Sequence, residues 1–342
     1  MKKIIISTLF LSLVLFSAIN TTGVRKKIYI VPPGGYENDR LFTLSNDWLN
    51  RDDVNKVWVD LKNALAKKGY HIQTVKMGQN ISDGEALITC GILHAHLNTF
   101  MHYRNSGKKV IAMLFEPRTI EPHSYNKASY PYYTTVLTMY DEDVEKVSNC
   151  KKLHYPQPIL TMREQKSFQE KKLCTMINSN KSSHHKGSLY PERIKAVKFF
   201  CNRHPNDFTF YGQGWDKNIW RCYGGGVKCK SDILINFKFS ICYDNTSDAG
   251  YLTEKIFDCL EAGCVPIYLG CPNVTDYVPT ECFIDMRKFS SYDELYDFVK
   301  NMSEEEHQKY LDAIQAFFAS EKAHKFSSEY FVETVCKALD IE

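Results

Sequence analysis

The chain has no dominant charge: across 342 residues, 43 lysines and arginines are set against 40 aspartates and glutamates, a formal net of +3. A chain so balanced projects no long-range field suited to nucleic acid, and nucleic-acid binding is not expected. There is no internal repeat, no low-complexity tract and no coiled-coil pattern, so the chain reads as ordinary globular sequence. No pair of cysteines has the spacing of a zinc site. The length excludes a small stapled scaffold and allows two domains, each with its own core. Basic pairs such as Lys151-Lys152 and Lys171-Lys172 read as solvated surface.

One long apolar run is present. Lys2 and Lys3 precede Ile4 to Ile19, a stretch broken only by serine, threonine and alanine. It is shorter than the roughly 20 residues of a spanning helix, so a cleaved signal peptide and a short signal anchor (residues 1–23) both fit. The basic flank puts that end in the cytosol and the remainder of the chain in a lumen or outside. Twelve cysteines are compatible with disulfides in that setting. Cys222 and Cys229 flank a glycine-rich loop they could close, whereas Cys242, Cys259 and Cys264 read as buried thiols. Sequons stand at Asn20, Asn80, Asn180, Asn245, Asn273 and Asn301.

From there the pattern alternates. Strands are expected at Lys27–Pro32, His71–Val75, Ala86–Cys90, Lys108–Glu116 and Thr134–Tyr140, with an amphipathic helix over Val54–Gly69 and another near Leu97. Prolines and polar residues between Tyr155 and Lys171 break every periodicity and mark a linker. A second alternation follows: strand Lys171–Asn178, helix Leu189–His204, strand Asp207–Gly212, then strand Phe237–Tyr243, helix, strand Val265–Gly270, strand Cys282–Met286 and three closing helices. Such alternation gives a parallel α/β sheet in each half, 24–165 and 166–342.

The richest stretch runs from Tyr243 to Gly270. A buried strand ends in Asp244, Asn245, Thr246, Ser247, Asp248 and Gly250, which form turns and caps rather than sheet. A helix is expected from about Leu252, its first turn carrying Thr253, Glu254 and Lys255 beside unpaired backbone N–H groups. That arrangement favours phosphate, and Glu254 can hold a ribose hydroxyl pair or complement the helix dipole. Strand, loop, helix and strand make a nucleotide-binding crossover.

The spacing of Asn245, Tyr251, Glu254 and Lys255, followed by AGCVPIYLG, resembles the donor signature of the α1,3/4-fucosyltransferases, glycosyltransferase family 10. The resemblance covers most of the chain from Lys27, most strongly from Lys171 onward. It implies two Rossmann-like domains facing a cleft (the GT-B arrangement), the first binding a glycan acceptor and the second the donor GDP-fucose. It also favours an uncleaved anchor, hence a single-pass Golgi membrane protein with a lumenal catalytic domain; secretion is the alternative. One departure stands in the motif: the family's Phe-Glu-Asn is here Tyr243, Asp244, Asn245, and Asp244 is given no role.

Glu116 ends an apolar strand, where functional groups gather in open α/β sheets. A partly desolvated glutamate there can accept a proton from a sugar hydroxyl. The resemblance places the family's general base in a Glu-Ser-Pro-like segment, here FEPRTIEP without the serine. Glu121 and Glu142 are rivals, and pairing with Arg118 is the structural alternative. Arg193 is read as a grip on the pyrophosphate. Tyr211 and Gly212, with Gln213 and Gly214, would let backbone approach the nucleotide, and Tyr251 is read as a stacking or phosphate-bonding group. His184 and His185 are read as loop polarity or donor contacts. Asp141, Glu142 and Asp143 invite a metal, but the triplet reads as a solvated turn. Lys255 and Arg193 can neutralise a departing diphosphate with no required cofactor, stimulation by a divalent cation being left open. Three function classes therefore stand: an inverting fucosyltransferase acting on N-acetyllactosamine-type, core N-glycan or protein hydroxyls; a non-catalytic sugar-nucleotide or glycan binder; and a metal-dependent transferase.

Overall fold

The computed structural model describes residues 25–45 and 47–342. The apolar run and the Asn20 sequon lie outside the described residues, among which no helix is long and apolar enough to cross a membrane.

The first half contains β1 (Lys26–Val31), α1 (Lys56–Lys67), β2 (Tyr70–Thr74), β3 (Gly84–Cys90), α2 (Leu97–Asn105), β4 (Lys109–Leu114), β5 (Thr135–Thr138), α3 (Asp141–Lys146) and β6 (Cys150–Lys152). Its strands form one parallel sheet in the order β2-β1-β3-β4-β5-β6. Ile28, Ile30, Ile88 and Ile111 feed the core on one face, and Leu87, Val110, Ala112 and Val136 the core on the other. Burial on both faces is why these strands read as apolar runs rather than as alternation.

The second half contains β7 (Lys172–Ile177), α4 (Tyr190–Arg203), β8 (Phe208–Tyr211), α5 (Lys230–Leu234), β9 (Phe237–Tyr243), α6 (Glu254–Glu261), β10 (Val265–Leu269), β11 (Ile284–Asp285), α7 (Tyr292–Lys300), α8 (Glu304–Phe318), α9 (Glu321–His324) and α10 (Ser328–Leu339). The sheet is again parallel, ordered β11-β10-β9-β7-β8. The chain leaves β7 for β8 on one side and returns to β9 on the other, so a crevice opens beyond the carboxyl ends of β7 and β9. The expected helix at Leu252 begins at Glu254, because Thr253 is extended and its side chain accepts from the Lys255 N–H.

Several expectations are corrected. α10 belongs to the first core: Phe331 meets the Trp58 ring edge-on at 5.3 Å, and Val335 and Leu339 pack with Ile28 and Leu61. A cut at residue 165 therefore separates the sheets but not the last helix, whose apolar face finds its complement on α1. All twelve cysteines are free, Cys222 and Cys229 included. Cys222 is held in the core beside the carbonyls of Cys201 and Pro205, while Cys229 precedes α5. Lys171 is 5% exposed, its ammonium donating to Gln165 Oε1 and the Gly263 carbonyl.

Asp141 and Asp143 are not a solvated turn. Asp143 is fully buried between Lys127, at 2.9 Å, and Arg118, at 3.3 Å. Asp141 ties the halves together by accepting from Lys152 Nζ at 2.6 Å, Asn273 Nδ2 at 3.0 Å and Tyr277 OH at 2.7 Å. Gly250 (φ +80°) fits beneath it, since a Cβ there would stand 2.4 Å from the Met139 carbonyl oxygen. Burial would raise the Asp141 pKa, but Lys152, Asn273 and Tyr277 together hold it below the usual range. Asp141→Ala leaves the Lys152 ammonium uncompensated and is expected to destabilise the protein by about 3 kcal/mol, read as a lowered urea midpoint.

Candidate active site

A cleft of about 280 Å³ opens between the halves. Phe115 and Glu116, just past β4, line it from the first half, and Tyr155 from the connection. The second half supplies Asn178 past β7, Arg193 on α4, Cys242 on β9, Tyr251, and Glu254, Lys255 and Asp258 on α6. The crevice predicted from strand order is the place where these side chains meet.

Glu116 is exposed because it faces open space, yet protein surrounds that space. This crowding raises its pKa above the ordinary carboxylate value of 4.5; Lys255 opposes the shift, while Glu254 and Glu121 add to it. Its backbone is fixed by Tyr125, whose hydroxyl donates to the Glu116 carbonyl at 2.6 Å. Arg118 does not pair with Glu116: it faces Asp143 and Glu142. Of the rival carboxylates, Glu121 accepts from Ser124 Oγ at 3.2 Å and Glu142 pairs with Lys146 at 3.1 Å. Neither lines the cleft.

Arg193 is 3% exposed. Nε and Nη2 donate to the Tyr243 carbonyl at 3.2 and 2.7 Å, and Nη2 also to Asn245 Oδ1 at 2.9 Å. Among the described residues Nη1 has no acceptor, which leaves one edge of the guanidinium for an anion. Asn245 is thus an orienting residue behind Arg193 rather than part of the lining. Tyr211 also stands behind the lining, its ring against Gly224. Tyr251 is 2% exposed, lines the cleft and leans on Tyr140 with centroids 5.7 Å apart. His184 and His185 do not reach the cleft; His185 Nδ1 accepts from the Gly187 N–H at 3.2 Å.

Lys255 Nζ lies 2.9 Å from Glu254 Oε1. Burial alone would lower its pKa, but Glu254 and Asp244 raise it, so the ammonium stays charged. Against burial, Lys255 and Lys230 hold Glu254 down at about 2. Asp244 is scaffold: its carboxylate accepts from Tyr268 OH at 2.5 Å and Thr253 Oγ1 at 2.7 Å, bracing the turn into α6. The shortened side chain in the motif therefore does not touch the cleft.

Sequence reasoning missed Lys230, Asp258, Asp52 and Tyr155. Lys230 reaches Asp258 at 2.6 Å and Asp52 at 3.6 Å. Burial pushes Asp258 up to about 7 against the pull of Lys230. The i, i+4 spacing of Glu254 and Asp258 on one helix face was the available signal.

The family model described as glycosyltransferase family 10 (fucosyltransferase), C-terminal, matches residues 164–341, which is more than half of the chain. The chain belongs to this family. The family 10 chain is similar to an alpha-(1,3)-fucosyltransferase, FucT, of Helicobacter pylori, with 25% identity over 191 residues, 56% of this chain and 36% of that one. It is also similar to an alpha-(1,4)-fucosyltransferase of Arabidopsis thaliana, 43% identical over 72 residues, 21% of this chain and 18% of that one. The chain thus matches about a third or less of the length of these relatives. A crystal structure of an alpha1,3-fucosyltransferase with GDP-fucose shares the fold, with a TM-score of 0.54 at 14% identity over 93% of this chain and 91% of that one. Two Rossmann-like halves facing a cleft, GT-B, is the architecture of this family 10 protein.

Gly212 lines the cleft at φ +135°, and a Cβ there would lie 2.1 Å from the Asn178 carbonyl oxygen. This crossing of two backbones by itself requires glycine here. Gly212→Ala is expected to cost about 3 kcal/mol of stability, measured by chemical denaturation, because backbone rather than a flexible side chain must move.

Proposed function

We propose that the protein is an inverting α1,3-fucosyltransferase that moves fucose from GDP-fucose to a hydroxyl of a glycan, with N-acetyllactosamine-type acceptors as the default. One observation carries the reading: a raised-pKa carboxylate from one half and two buried cations from the other line a single cleft. Glu116 takes the proton of the acceptor hydroxyl as its oxygen attacks the anomeric carbon from the face opposite the leaving GDP. Charge then grows on the β-phosphate, which is assigned to the free Nη1 of Arg193 and the ammonium of Lys255, both residues of the cleft lining. Cations held in place need no reorganisation as that charge develops, so they stabilise the transition state more than the ground state. Tyr251, Glu254 and the unpaired Asn178 Oδ1 are assigned to phosphate, ribose and base contacts. The reading requires no metal ion.

A donor-binding protein without catalysis is the second reading. The change at Asp244 gives it no support, because that residue braces the turn and lies off the cleft. Glu116→Gln separates the two: it is expected to abolish transfer while GDP binding by calorimetry stays within about threefold. In the parent, the acid limb of kcat/KM should fall above pH 4.5, with activity lost as pH drops through the raised value and the carboxylate takes up its proton. Lys255→Ala should lower kcat by about 10²–10³; a variant with near-normal turnover of GDP-fucose would overturn the assignment.

A further inference from the structure

The segment Trp48–Asp53 belongs to the first half, yet Trp48, Arg51 and Asp52 line the same cleft as Glu116 and Lys255. The reaction above uses none of them. Trp48 keeps 48% of its surface exposed; among the described residues Leu44, Ile219 and Phe298 are the other large apolar side chains so exposed, and they lie off the cleft. An exposed indole in a cleft wall offers a flat apolar face that a ligand can cover. The Arg51 guanidinium sits 4.6 Å from its ring centroid, a cation–π contact that orders both groups.

The segment is braced from both sides. Asp47 accepts from the Leu49 N–H at 2.9 Å, Tyr36 OH donates to the Leu49 carbonyl at 2.7 Å, and Asn50 Oδ1 accepts from the Asn55 N–H at 3.0 Å. Asp52 and Asp53 both take φ +56°, a left-handed backbone uncommon outside glycine. Asp52 Oδ1 then accepts from the Lys230 N–H of the other half at 2.8 Å. Asp52 Oδ2 is buried with no hydrogen-bond partner among the described residues, the Lys230 ammonium standing 3.6 Å away, so one acceptor in the cleft wall still lacks a hydrogen-bond donor.

We propose that Trp48, Arg51 and Asp52 form the acceptor subsite: a pyranose ring lies with its C–H face on the indole, its hydroxyls accepting from Arg51 and donating to Asp52 Oδ2. This rests on the reading of Glu116 as the group that meets the acceptor hydroxyl. The subsite falls to the acceptor because it is built on the half that presents Glu116, whereas Arg193 and Lys255 belong to the other half.

The test uses the full chain with N-acetyllactosamine, lactose and chitotriose as probes. Trp48→Ala should raise the acceptor KM about 10-fold, leaving the KM for GDP-fucose and its hydrolysis rate within about twofold; Trp48→Phe, which keeps an aromatic face, should recover most of the loss. Without donor, the same glycans should change the tryptophan emission of the wild type, and that response should vanish in Trp48→Phe. An unchanged acceptor KM, a raised KM for GDP-fucose instead (the nucleotide base stacking on Trp48), or an emission response that none of the glycans elicits through Trp48 overturns the proposal. Glycan-dependent Trp48 emission in a chain that never turns over GDP-fucose supports the subsite and removes the transferase reading.

Discussion

The cleft depends on keeping three buried cations charged. Arg193, Lys255 and Lys230 are withdrawn from bulk water, which disfavours their charged forms, and each is held by a different device. Arg193 is bound by a strand-end carbonyl and an amide, partners that orient it without cancelling its charge. Lys255 is balanced by Glu254, and Lys230 by Asp258 and Asp52. The carboxylates Glu254 and Asp258 take opposite shifts on one helix because Glu254 is bonded to Lys255 and also feels the charge of Lys230, whereas at Asp258 burial outweighs the pull of Lys230.

This balance has a geometric requirement: the two halves must stay in register. Asp141, Asn273 and Tyr277 fix them at one point, with Gly250 allowing the backbones to meet. Asp52 and Lys230 join them at a second. α10 crosses to the first core and ties the end of the chain to its beginning. Such contacts between halves explain why a pKa at Glu116 responds to charges on α6, a coupling that neither half would show alone.

Much of this was legible as pattern. The inner strands β1, β3, β4, β7, β9 and β10 announced themselves because burial on both faces of a parallel sheet demands short apolar runs. The loop before α6 was legible because polar turn residues and a capping threonine stop a strand and start a helix. The readings that failed share a cause. Asp141, Asp143, Lys152 and Lys171 read as solvated in the sequence because charge normally seeks water, whereas their burial is stabilised by partners distant in sequence: Asn273 is 132 residues from Asp141, and the Gly263 carbonyl is 92 residues from Lys171. The helix α5 was missed because five residues make no measurable period.

The sequence by itself determined the alternation of strand and helix, the family, and the residue types able to bind a diphosphate and accept a proton, since periodicity and turn chemistry act over neighbours in the chain. Only the tertiary structure decided which of them share a cleft. It placed Asn245 and Tyr211 behind the lining, brought Lys230, Tyr155 and the Trp48 segment into it, and freed one edge of Arg193. Those choices depend on how two sheets and a returning helix pack, and packing joins residues that no local pattern relates.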